Sequence, residues 1–149
     1  MWQRIQTVFL VLAVVALLFS LVQPIWYYSG DSGTITLTPF YFLHEDSYQY
    51  FPYSLVAIFS IASITLAITS IRKYKNRMLQ MKLGALNSLC LVGVVGVSVY
   101  FATQLIGEFQ GGSYGPGLYL PVVAVLCNLV ANFFIRRDER LVRNSERLR

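Results

Sequence analysis

Four long apolar runs, separated by polar segments of unequal length, dominate this chain. They cover about Ile5–Val22, Tyr53–Ile71, Leu83–Ile106 and Tyr119–Ile135, and none contains Asp, Glu, Lys, Arg or His. A helix rises 1.5 Å per residue, so about 20 apolar residues cross the ~30 Å hydrocarbon core of a bilayer. The pattern predicts an all-α membrane protein, a bundle of four transmembrane helices in a single domain. The fourth run, roughly 17 residues long, is near the lower limit for spanning, so snorkelling by Arg136 and Arg137 is expected. Arg4 ahead of the first run resembles the start of a signal peptide. That run is longer than a signal-peptide core and is followed by LVQPIWYY, so a retained helix is expected. Trp2 is expected at one interface and Trp26, Tyr27 and Tyr28 at the other.

The connecting segments differ in character. Residues 23–52 hold no Lys or Arg, and Thr34–Thr38 (TITLT) alternates with period two, so a short β-hairpin on the outer membrane face is expected there. Gly107–Leu118 (GEFQGGSYGPGL) is glycine-rich and reads as a flexible outer loop. Within the runs, Ala57, Ser60, Ser63, Ala67 and Ser70 recur every three or four residues, and Ala13, Ala16 and Ser20 form a shorter series. Gly84 and Ser88 repeat the motif in the third run. Such stripes let helices approach closely in lipid, where no hydrophobic effect drives them together.

Charge orients this picture. All twelve cations lie at Arg4, within Arg72–Lys82, or in the tail from Arg136 to Arg149. Only an even number of crossings puts those three segments on one side, and the positive-inside bias makes that side the cytoplasm for both termini. Nucleic-acid binding, which a net charge of +5 invites, would need a basic face interleaved with exposed aromatics. The cations instead flank apolar runs. In the tail, Arg136, Arg137, Arg140, Arg143 and Arg147 share one arc of a helical wheel. This predicts an amphipathic C-terminal helix on the anionic inner leaflet, worth about 1 kcal/mol per cation near the surface. A surface for a cytoplasmic partner and plain topology enforcement are the other readings.

No catalytic, cofactor or metal signature stands out. An ionisable residue inside a membrane marks a functional site by default, and the runs have none, which argues against a proton-coupled transporter or an intramembrane hydrolase. Cys90 and Cys127 have no metal-ligand spacing and read as small apolar side chains. His44, Glu45 and Asp46 make a lone His-carboxylate cluster, better read as a solvated loop, because metal sites gather three or four ligands from separate positions. The notable polar groups are Asn87, Asn128 and Asn132. Depth counted from Lys82 and Arg136 predicts that Asn87 bonds Asn132, or nearby backbone, across the interface of helices three and four.

The start MWQRIQT, the segment MKLGALN and the ending LCNLVANFFIRRDERLVRNSERLR resemble a family of small four-span membrane proteins from Bacteroidota, catalogued as a domain of unknown function. The resemblance covers nearly the whole chain. One departure is Phe133, at a position often basic in that family. The resemblance implies a bacterial inner-membrane location, four helices and no established activity. The residues themselves favour a non-enzymatic accessory or scaffold subunit, in a larger membrane complex or a homo-oligomer. The rival is a lipid or quinone carrier with a cleft near Asn87, Asn128 and Asn132.

Overall fold

The computed structural model describes the backbone of residues 2–30, 33–44, 47–73 and 76–147, and their side chains apart from 2–4, 77 and 142–147. Four helices, α1 (Trp2–Val22), α2 (Leu55–Arg72), α3 (Arg77–Phe109) and α4 (Pro116–Arg147), carry the chain up and down. Each is long and apolar enough to cross a membrane. α1 packs on α4, α2 on α3, α3 on α4 and α1 on α2, in decreasing order of extent. The helices therefore close a ring in which every neighbour runs antiparallel.

Side-chain size decides which faces meet. The buried face of α2 is Val56, Ala57, Ser60, Ser63, Ala67 and Ser70, the small-residue stripe of the sequence. Ala13, Ala16 and Ser20 of α1 are buried too, while Val8, Phe19, Ile61, Leu89, Leu126 and Phe133 point outward. Small groups inside and large apolar groups outside suit close helix packing in lipid.

Two helices outrun their apolar stretches. Asn76 Oδ1 accepts the Leu79 N–H at 3.1 Å, a side-chain cap that starts α3 at Arg77 rather than near Leu83. α4 continues without a break to Arg147, so the helix expected of the C-terminal tail is the extension of the fourth. The tail holds no Gly or Pro to end a helix, and Glu139 stands four residues before Arg143 in the favourable order.

At one end of the bundle, β1 (Trp26–Gly30), β2 (Gly33–Leu37), β3 (Phe42–His44), β4 (Ser47–Gln49) and β5 (Ser113–Tyr114) form an antiparallel sheet in the order β4-β3-β2-β1-β5. The single hairpin expected in residues 23–52 is thus part of a larger sheet. The glycine-rich connection supplies its fifth strand, through Trp26↔Tyr114 and Tyr27↔Ser113, in place of the flexible loop the sequence suggested. Alternation sets the inner face. Trp26, Ile35, Leu37 and Phe42 are buried against Phe101, Ala102 and Leu105 of α3. Trp26, expected as an interfacial anchor, is fully buried. Its ring centroid lies 6.1 Å from that of Phe109, which also meets His44 at 5.6 Å. Gly112 adopts φ +95° beside that indole, where a Cβ would overlap the ring.

The junction of α1 and α4 solves a backbone problem. Pro121, inside α4, has no N–H to give the carbonyl four residues earlier, that of Gly117. Ser20 Oγ–H of α1 donates to the Gly117 carbonyl instead, at 2.9 Å, in a buried bond. Gly117 N–H donates to the Pro24 carbonyl at 3.0 Å and Gly115 N–H to that of Ile25 at 2.8 Å. Ser20→Ala strands the Gly117 carbonyl and should destabilise the protein by about 1–2 kcal/mol, measured by SDS titration in mixed micelles.

Candidate functional site

Ser63, Asn87, Asn128 and Ser88, between α2, α3 and α4, form one directional chain of hydrogen bonds. Ser63 Oγ–H of α2 donates to Asn87 Oδ1 of α3 at 2.5 Å. Asn87 Nδ2–H donates to Asn128 Oδ1 of α4 at 2.9 Å, and Asn128 Nδ2–H returns to Ser88 Oγ of α3 at 2.9 Å. Ser88 Oγ–H ends the chain on the Gly84 carbonyl at 3.0 Å. Asn132 Nδ2–H joins from the flank, at 3.1 Å from the Gly84 carbonyl and 3.2 Å from Ser88 Oγ. Gly84 has to be small there, since a Cβ would overlap Asn132 Oδ1.

Asn87 therefore pairs with Asn128, not with Asn132. Depth alone resolves partners only to about one helical turn, and the helix face decides the rest. Pro121, Ala124, Asn128, Ala131 and Ile135 share the buried stripe of α4, whereas Asn132 is only half-buried.

Neutral amides and hydroxyls neither ionise near neutral pH nor act as nucleophiles without an activating base. Ser63, Asn87 and Asn128 are at most 2% exposed, and the bonds above engage them with one another. The seam joins three helices. It offers little to a substrate.

An aliphatic groove of about 300 Å³ lies on the α3–α4 seam toward the sheet, lined by Val92, Val95, Gly96, Val122 and Val125. Cys90 and Cys127 are free and half-buried. His44 stacks on Phe42 at 6.2 Å. Glu45 and Asp46 lie outside the described residues, among which no group of three metal-ligating side chains occurs.

The opposite end of the bundle is cationic. Arg72, Lys73, Lys82, Arg136, Arg137 and Arg140 are exposed there. Arg143 and Arg147 follow on the α4 backbone, with side chains outside the described set.

The sequence matches the family described as Domain of unknown function (DUF4293) over residues 2–148. The chain belongs to the DUF4293 family. No curated protein and no solved structure matches it. For this DUF4293 chain, function rests on its own geometry: a closed polar seam inside, an aliphatic belt outside, a sheet at one end and cations at the other.

Proposed function

We propose that the chain is a non-enzymatic accessory or scaffold subunit of a bacterial inner-membrane complex, with four spans and both termini in the cytoplasm. The polar seam carries this reading. The notable polar groups of the spans are used in joining α2, α3 and α4, so the bundle's recognition surfaces are its aliphatic exterior and its two ends. The cationic end would face the anionic inner leaflet. The unbroken α4 would carry the rest of its arginine arc beyond the headgroups, toward the cytoplasm.

Native mass spectrometry of the full chain, extracted gently from its own membrane, tests the proposal. A heavier assembly of fixed stoichiometry supports it. A lone chain carrying one lipid or quinone overturns it in favour of the carrier, which the α3–α4 groove supports as second reading. Orientation is tested separately in a Cys90→Ala/Cys127→Ala background. An impermeant thiol reagent applied to intact cells with a permeable outer membrane should label Ser113→Cys and spare Lys73→Cys.

A further inference from the structure

Hydrogen bonds across the bundle fix which residues lie level with one another. Asn87 bonds both Ser63 and Asn128, and Gln80 Nε2–H reaches the Ser70 carbonyl at 3.3 Å. Carried along the helices at 1.5 Å per residue, these pairs place Arg72, Lys73 and Arg136 near the level of Lys82, within about one turn. At the other end they place Tyr119 of α4 near the level of Tyr100 of α3. Tyr53 stands there too, its ring centroid 4.9 Å from that of Phe101, with Tyr50 and Phe51 just ahead of Pro52 in the same turn. Tyr50, Phe51, Tyr100 and Tyr119 are 61%, 75%, 63% and 58% exposed. Three separate parts of the chain thus put exposed aromatics at one height.

From Lys82 to Tyr100 is about 27 Å along α3, close to the ~30 Å hydrocarbon thickness of a bilayer. Between those heights the exposed surface is mostly aliphatic, including Ile58, Ile61, Leu89, Val92 and Leu126, with Phe19 and Thr65 among its other exposed side chains. α3 runs on for about 13 Å beyond Tyr100, and that stretch carries the sheet. We infer that Tyr50, Phe51, Tyr100 and Tyr119 form a girdle seated in the headgroup and glycerol region of the sheet-side leaflet. The sheet rests on the membrane surface, and the cation ring marks the opposite boundary. The lipid interface is the occupant because the girdle is continuous with the apolar belt below it, and the amphipathic rings of Tyr50, Tyr100 and Tyr119 favour that depth. The inference depends on the four-span reading but not on the scaffold role.

Nitroxide labels on single cysteines, in the Cys90→Ala/Cys127→Ala background and reconstituted in phosphatidylcholine–phosphatidylglycerol vesicles, report depth from collisions with oxygen and a polar nickel chelate. The oxygen-to-nickel ratio should be highest at Leu126→Cys and Leu89→Cys. It should be intermediate at Phe51→Cys, Tyr100→Cys and Tyr119→Cys, and lowest at Thr34→Cys and Ser47→Cys on the sheet. Girdle ratios equal to those of the two sheet sites, or to those of Leu126→Cys and Leu89→Cys, overturn the girdle. A low ratio at both Leu126→Cys and Leu89→Cys overturns the four-span reading itself. Each height carries at least two sites, so the comparison survives the loss of any one variant.

Discussion

Asn87→Leu should destabilise the bundle by about 1–3 kcal/mol, the range for leaving buried hydrogen-bonding groups unmatched. The substitution removes the acceptor of Ser63 Oγ–H and the donor to Asn128 Oδ1. Two effects oppose the loss. Leucine is the better helix former by about 0.5 kcal/mol, and Ser63 can turn back to the carbonyl four residues earlier, as Ser60 does to Val56 at 2.8 Å. Asn128 Oδ1 has no such escape, because a side-chain amide cannot take its proton from a helix backbone already bonded along its own length. The net sign is therefore destabilising. SDS titration followed by circular dichroism checks it, with a double-mutant cycle against Asn128→Leu. Coupling of about 0.6–1.7 kcal/mol is expected for an interhelical bond in a membrane bundle. Asn132→Leu should cost less, since Ser88 still serves the Gly84 carbonyl. No coupling, or a larger effect at Asn132 than at Asn87, would contradict the observed pairing.

Four helices are legible in the sequence because nothing ionisable interrupts their apolar runs, and the α2 stripe is legible because small residues repeat at helical spacing. Their lengths are not. The cations of Arg77–Lys82 and the tail read as connections, although charge does not end a helix where no Gly or Pro intervenes. The sheet is half-legible. TITLT alternates clearly, but the two residues of β5 have no period of their own and become a strand only through pairing with β1. Trp26 misleads because an aromatic at the end of an apolar run suits the interface as well as a core. The sheet that covers it is long-range structure. For the asparagines, residue type and rough depth are readable from spacing, while the partner turns on helix face.

Gly115→Ala should lose stability by about 1–3 kcal/mol, and the same change at Gly107 should gain about 0.5–1 kcal/mol, although both add one methyl group. Alanine removes backbone freedom from the unfolded chain at either site, which favours the fold by up to about 1 kcal/mol. What differs is the space. A Cβ at Gly107 meets nothing within 4 Å, whereas at Gly115 it would run into the Pro24 carbonyl, which is backbone and cannot swing aside. Relief requires the start of α4 to lift away from the end of α1. That movement would stretch the Gly115–Ile25 and Gly117–Pro24 hydrogen bonds and draw Ser20 off the carbonyl that Pro121 leaves open. Ser20→Ala removes the last of these bonds without the wedge, so Gly115→Ala should be the more damaging of the two. SDS titration of the three variants against the unsubstituted chain decides it. Equal shifts for Gly115→Ala and Gly107→Ala would mean that the α1–α4 junction is looser than its hydrogen bonds imply.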